Sequence, residues 1–211
     1  MTRFSPDSCE KNVLCDQCQN LPLNSLNDVS MHCDRSIWFT DPCYASLQGF
    51  RNEPAVGDSV YRCDPQGGEA RVVAASFVKP QGLAFSPDEH SLSVTDSGAI
   101  REPRSYHVHK PHHIRRFDVG EEGRLGNDVL FVVISPGIPD GITLDTQGRV
   151  HVSSASGVQL LSPAGELLGQ IITPAVANFV FGGLNNNLLF ILTDVAIRVA
   201  TLAVKGVPYP A

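Results

Sequence analysis

The stretch "LNSLNDVSMHCDRSIWFTDP", residues 23–42, sets the reading of the whole chain. It holds a polar start at Asn27-Asp28, a short apolar run, the tight turn "CDRS", and a second run that ends in Thr-Asp-Pro. The same phrase returns as "PQGLAFSPDEHSLSVTDSG" (80–98), "PDGITLDTQGRVHVSSASG" (139–157) and "VANFVFGGLNNNLLFILTD" (176–194). Each turn is rich in Asp, Asn, Ser or Gly, residues that accept turn geometry or bond their own backbone. Each phrase is short-strand, turn, short-strand, and long runs of helical period are hard to find. Short strands with turn signals at regular intervals point to an all-β chain.

Three of the phrases run on into a further strand pair. "VYRCDPQGGEARVVA" (60–74), "IRRFDVGEEGRLG" (114–126) and "VQLLSPAGELLGQI" (158–171) each fold back at a Gly-containing turn. Repeated four-stranded units are the grammar of a β-propeller. The repeats start near Asn27, Gln81, Asp140 and Asn178. Blades of this kind use ~40–45 residues, so the first two gaps require insertions. These are "YASLQGFRNEPAVGDS" (44–59) and "IREPRSYHVHKPHH" (100–113). The second carries His107, His109, His112 and His113, and reads as a solvated connection rather than a metal site. A six-bladed ring would need roughly 240–270 residues on this scale. With 211 residues and a first full phrase at residue 24, the shortage sits at the front.

Composition narrows the function classes. The 16 Lys+Arg against 22 Asp+Glu give a formal net charge of -6, without the clustered cations that nucleic acid requires. No run of 18 apolar residues offers a membrane span. The opening "MTRFSPDSCEKN" lacks the apolar core of a signal peptide, which makes a cytoplasmic address the default. The six cysteines, Cys9, Cys15, Cys18, Cys33, Cys43 and Cys63, all lie in the first third. Cys15 and Cys18 form a CxxC, but no second pair follows at zinc-ligand spacing, and Cys9, Cys33 and Cys43 fit no such pattern. Free, mostly buried thiols are the expectation.

Taken together, "LNSLNDVSMHCDRSIWFTDPCY", "KPQGLAFSPDEHSLSVTDS", "IPDGITLDTQGRVHVSSASGVQLLSPAGELLGQI" and "NFVFGG" resemble the regucalcin/gluconolactonase (senescence-marker-protein) family, along residues 13–204. The resemblance implies a six-bladed β-propeller, incomplete at the N-terminus, over residues 24–211. Residues 1–23 are then outer strands or an irregular segment. It further implies a divalent cation, usually calcium, on the central axis, and hydrolysis of a sugar lactone or related ester. The family's ligands are a first-blade glutamate, two asparagines and an aspartate. Asn27 of "NDV" matches one asparagine, Gln81 of "PQG" stands where the second belongs, and Asp140 of "PDG" matches the aspartate. The glutamate has no counterpart, since Glu10 lies in no matching motif. The metal ligands are therefore Asn27, Gln81 and Asp140, with Asp140 also the catalytic base.

The chemistry of the residues agrees with this assignment. Amide carbonyls with one carboxylate suit hard calcium better than zinc. Paired ligand oxygens around calcium would sit within about 5 Å of one another. Asp41 and Asp96 read as caps near the tunnel, and Trp38 as core. The alternative function is a non-catalytic truncated propeller that binds a small ligand or partner. A strictosidine-synthase-like or phosphotriesterase-like propeller is a third class. The partner implied is a small-molecule lactone or ester, with no nucleic acid and no membrane. The sequence does not fix the oligomeric state.

Overall fold

Runs such as "SIWFTD" and "LLFILTD" are apolar at successive positions, so their strands have an apolar side chain on either face. A strand of that kind must be covered on both sides, and stacking sheets face to face satisfies it. The computed structural model, which describes residues 1–100 and 105–208, shows this arrangement. The chain begins with two hairpins, β1 (Thr2–Phe4) with β2 (Lys11–Val13) and β3 (Gln17–Cys18) with β4 (Leu21–Pro22). Four antiparallel sheets follow in chain order. Blade 1 is β5 (Val29–Met31), β6 (Ile37–Asp41), β7 (Ser59–Cys63) and β8 (Arg71–Ala74), with the one-turn helix α1 (Tyr44–Leu47) in its first insertion. Blade 2 is β9 (Pro80–Phe85), β10 (Ser91–Asp96), β11 (His113–Val119) and β12 (Leu125–Val133). Blade 3 is β13 (Ile142–Leu144), β14 (Val150–Ser154), β15 (Gly157–Leu161) and β16 (Leu167–Ile172). Blade 4 has three strands, β17 (Val176–Gly182), β18 (Leu188–Thr193) and β19 (Ile197–Thr201). The chain is all-β and propeller-like, with four blades among the described residues.

The cores lie between the blades. Trp38 and Val60 of blade 1 pack with Leu83, Phe85, Leu92 and Val94 of blade 2. Ile114 and Ile134, from blade 2 and the connection after it, meet Ile142, Val150 and Val152 of blade 3. Val158 of blade 3 meets Phe179, Phe181, Leu189 and Ile191 of blade 4. The alternate residues of blade 1, Phe39 and Tyr61, turn the other way and pack with Cys15, Cys18 and Leu23 of the N-terminal segment. Neighbouring residues Trp38 and Phe39 thus serve two different cores, which is why the sequence shows no polar alternation there. Cys15, Cys18 and Cys63 are buried, Cys43 is half-buried, and Cys9 and Cys33 are exposed; all six are free thiols.

The first hairpin turn of each blade enters the left-handed region, at Arg35, at Glu89, at Gly148, and at Gly183 and Asn186 in blade 4. In three of them an aspartate accepts the N–H two residues on: Asp34 from Ser36, Asp88 from His90, Asp145 from Gln147. In blades 1 and 2 these Asx turns hold the conformation at a residue that is not glycine, Arg35 and Glu89.

A second repeated device joins the blades. The Thr40 hydroxyl, on β6, accepts the Asp28 N–H (3.1 Å) and donates to the Gln81 carbonyl of blade 2 (2.6 Å). Thr95, on β10, accepts the Gly82 N–H (2.8 Å) and donates to the Asp140 carbonyl at the start of blade 3 (2.9 Å). The Ser153 hydroxyl on β14 accepts the Asp140 N–H (2.7 Å), and the Gly141 N–H reaches the Ala177 carbonyl of blade 4 (2.9 Å). The aspartate after each threonine holds the segment that leads into the innermost strand. Asp41 accepts the N–H groups of Asn24 and Ser25, and Asp96 those of Val78 and Lys79.

Thr95→Val keeps the shape of a fully buried side chain but removes the hydroxyl that bridges Gly82 and Asp140, leaving those two groups only their longer 3.2 Å bond to each other. We expect a loss of about 1–3 kcal/mol, read as a lower urea midpoint at unchanged m-value. Thr95→Ser should recover most of it.

Candidate functional site

Asn27, Gln81 and Asp140 occupy equivalent places, each at the start of the innermost strand of its blade. The hydroxyl belt sets them side by side: Thr40 links Asp28 to Gln81, and Thr95 links Gly82 to Asp140. The fit is close at the residue after each. A Cβ on Gly82 would come within 2.5 Å of the Asp140 carbonyl oxygen, and one on Gly141 within 2.5 Å of Asn178 Oδ1. Glycine is required there because the neighbouring inner strand passes so near. The backbone bonds also fix the fourth equivalent. Gly82 N–H reaches Asp140, and Gly141 N–H reaches Ala177, so blade 4 presents Ala177 rather than Asn178 at the ligand position.

A cavity of about 390 Å³ runs along the inner strands beyond these residues. Asp28, Leu83, Ile142 and Asn178 form part of its wall. Asp28, the neighbour of Asn27, therefore faces the cavity. Its Oδ2 accepts the Leu83 N–H (3.2 Å) and its Oδ1 the Val29 N–H (2.9 Å). Burial still pushes the Asp28 pKa up, against those two bonds.

The three candidates differ in how they are engaged. The Gln81 amide nitrogen donates to the Tyr44 hydroxyl (2.9 Å), which lies 3.1 Å from Ser97 Oγ. That chain commits the Gln81 nitrogen and leaves its carbonyl oxygen for another partner. Tyr44 stands on α1, and its pKa is pushed up to about 12 by burial, with the charges of Asp140, Asp96 and Asp58 adding. Lys79 lies against the Tyr44 ring and pairs with Asp58, which roots the network in the protein. The Asp140 carboxylate is half-buried, and among the described residues no hydrogen bond helps to hold its charge. Burial, and then the charge of Asp28, push its pKa up to about 7. Asn27 is exposed, and its backbone N–H is bound to the Thr40 carbonyl (2.9 Å). Gln81 and Asp140 thus share one electrostatic neighbourhood through Tyr44, while the Asn27 side chain stands outside that network.

Asp28, Tyr44 and Ser97 were not singled out in the sequence as members of the site. Asp28 could have been found, because it aligns with Gly82 and Gly141 and carries a charged side chain where they carry none. Tyr44 had no signal, since it comes from an insertion without a counterpart in the other blades. Among the described residues, the histidines of the 100–113 insertion form no three-ligand metal cluster. His113 opens β11, where burial lowers its pKa, and His112 Nδ1 lies 2.9 Å from the Lys110 carbonyl.

The pattern of the SMP-30/Gluconolactonase/LRE-like region matches residues 1–194. The lactonohydrolase oryH of Aspergillus oryzae is 34% identical over 167 residues, which cover 72% of this chain and 36% of that protein. The gluconolactonase of Zymomonas mobilis is 26% identical over 216 residues, 94% of this chain and 56% of that protein. The chain thus spans about a third to a little over half the length of these relatives. A solved gluconolactonase from Xanthomonas campestris superposes with a TM-score of 0.82 at 31% identity, over 95% of this chain and 64% of that one.

The raised pKa of Asp140 has a thermodynamic sign in the metal-free chain. The folded state holds the Asp140 proton more tightly than the unfolded state does. Its contribution to stability is therefore lost as pH rises from about 4 to about 7. Asp140→Asn removes the buried charge. In the presence of a chelator the variant should match the parent at about pH 3.5 and exceed it at about pH 8, measured by urea denaturation. A variant less stable than the parent at both values would show that the carboxylate is held by partners.

Proposed function

The chain belongs to the SMP-30/gluconolactonase/LRE-like family, and we propose that it hydrolyses a sugar lactone or related ester at the Asn27–Gln81–Asp140 end of the axial cavity, with calcium as cofactor. The observation that carries this reading is the Asp140 carboxylate, half-buried beside the Asp28 carboxylate and, among the described residues, without a stabilising hydrogen bond. A group in that state is stabilised by a cation. The donor set fits the ion: one carboxylate, one exposed amide and a Gln81 carbonyl left free by the Tyr44 bond are hard oxygen ligands. When bound, calcium would supply Lewis acidity, polarising a carbonyl and acidifying water.

The residues themselves define the remaining tasks. Hydrolysis adds water across the acyl–oxygen bond of the lactone and opens the ring to a hydroxy acid. Asp140 stands as the base that takes the proton of the attacking water. Tyr44, whose pKa lies well above neutrality, keeps its proton and holds the Gln81 side chain in one orientation. The lactonohydrolase and gluconolactonase activities named for the relatives are consistent with this chemistry.

The reading includes a six-bladed ring of which these four blades are an arc. Blade 4 supports it: Val180, Leu192, Ile197 and Val199 are exposed on strands whose other face is buried against blade 3. Such an apolar sheet face is what a further blade covers. The site then draws its second carboxylate, the family's glutamate, from another blade. With Asp140 as the sole acidic ligand of the proposed set, calcium affinity should be low, because ligand charge helps to set it.

We expect slow, calcium-stimulated hydrolysis of a sugar lactone by the 211-residue chain, followed as proton release, and none from Asp140→Ala. A form extended by a blade carrying the glutamate should gain both calcium affinity and turnover. Robust turnover unchanged by a chelator would overturn the metal reading. Calcium binding without turnover in the extended form would instead support a non-catalytic ligand-binding propeller.

A further inference from the structure

At the opposite end of the axial cavity, the first hairpin turns of blades 1 and 2 meet. His32 and Cys33 come from the turn between β5 and β6, and Glu89 from the turn between β9 and β10. Glu89 and Met31 also line the cavity. One ligand atom each from His32, Cys33 and Glu89 lies within 4.8 Å of the other two. His32 Nε2 is 3.4 Å from a Glu89 carboxylate oxygen, and Cys33 Sγ is 3.8 Å from His32 Nδ1. We propose that His32, Cys33 and Glu89 form a second metal site, for zinc, bridging blades 1 and 2 at this mouth.

The histidine is prepared for the role. Its ring packs edge-on against Phe85 (5.1 Å between centroids) and near Trp38 (6.4 Å), so it does not turn freely. Its Nδ1 faces the Asp34 carboxylate at 3.1 Å. Asp34 is itself fixed by the Ser36 N–H (2.8 Å) and by Arg62 (2.7 Å), whose guanidinium lies over the Trp38 ring. The Asp34 N–H also points at Nδ1 (3.4 Å), so the Asp34 residue holds that side of the ring through both its backbone and its carboxylate, and Nε2 is the nitrogen that faces Glu89. A carboxylate behind a ligating histidine is the usual outer support of a zinc site.

The donor set selects the ion. Imidazole nitrogen, thiolate sulfur and carboxylate oxygen together suit borderline zinc rather than calcium or magnesium. Zinc bonds of ~2.0–2.3 Å place tetrahedral ligand atoms roughly 3.3–3.8 Å apart. The His32 Nε2–Glu89 separation already lies in that range, and Cys33 is exposed with its sulfur inside the same 4.8 Å cluster. The Glu89 carboxylate also accepts the Cys33 N–H (3.0 Å), which holds the two turns in register. Binding releases the Cys33 thiol proton to solvent, and water fills the fourth position.

The site is separate from Asn27, Gln81 and Asp140, and its test does not depend on lactone hydrolysis. Cobalt(II) added to the full chain should give the intense near-ultraviolet band of a cobalt–thiolate bond, and zinc should displace it at one ion per chain. Cys33→Ser should lose the band and weaken zinc binding by roughly 100-fold or more, with an unchanged circular dichroism spectrum. Glu89→Gln should keep the thiolate band but weaken binding, and Asp140→Asn should leave it unaltered. No band in the parent chain, or a band retained in Cys33→Ser, would overturn the proposal. A Glu89→Gln chain that binds as tightly as the parent would remove Glu89 from the site.

Discussion

The belt of buried hydroxyls on the second strands constrains everything built around the axis. Innermost strands of a propeller do not pair with one another as a sheet, so their facing N–H and C=O groups need another source of hydrogen bonds. Thr40 and Thr95 supply it by serving two blades at once, accepting from their own inner strand and donating to the next. The requirement reaches into the sequence at two further points. The strand that receives the bond must come close, which forces glycine at Gly82 and Gly141. The segment leading into it must be held, which Asp41 and Asp96 do through paired backbone N–H groups. Candidate ligands one residue before those glycines inherit their positions from the belt, so the architecture and the candidate site rest on the same few bonds.

This explains which parts were legible in the sequence. The repeated phrase was readable because its signals are local: turn residues at the bend, Thr-Asp or Ser-Ser at the end of the second strand, and a polar pair with glycine at the start of the first. The four-stranded units followed from those signals. The precise alignment of the fourth phrase did not. "VANFVFGG" places Asn178 where the eye expects a ligand, yet the backbone bond from Gly141 goes to Ala177 and shifts the equivalence by one residue. Tyr44 was invisible for a different reason. It enters from an insertion, and its link to Gln81 is made only when blades 1 and 2 stack. The His32–Cys33–Glu89 cluster shares that property, since Glu89 lies 56 residues from Cys33 and no spacing rule joins them.

Gln81 shows how a departure from the family pattern is accommodated. The extra methylene relative to asparagine moves the amide farther from the backbone that the belt has fixed. Tyr44 meets the amide nitrogen at that distance, and Ser97 takes up the tyrosine in turn. A longer, freer side chain is thereby given one orientation, with its carbonyl available. The chain of groups Gln81–Tyr44–Ser97 costs little charge, because the Tyr44 pKa stands well above neutrality and the network stays neutral.

Asp140 is the counterexample within the same end of the cavity, and the contrast is informative. The other buried carboxylates nearby, Asp41 and Asp96, are each tied by backbone N–H groups. Even Asp28, on the cavity wall, accepts two. Among the described residues Asp140 accepts none through its carboxylate, although its own N–H and carbonyl are both held by the belt. The fold therefore fixes the residue rigidly and leaves its charge uncompensated. A buried anion without partners lowers stability, so a stable protein keeps one only where something outside the chain completes it. Rigid placement with unfilled coordination is the preorganisation that a metal or substrate site requires.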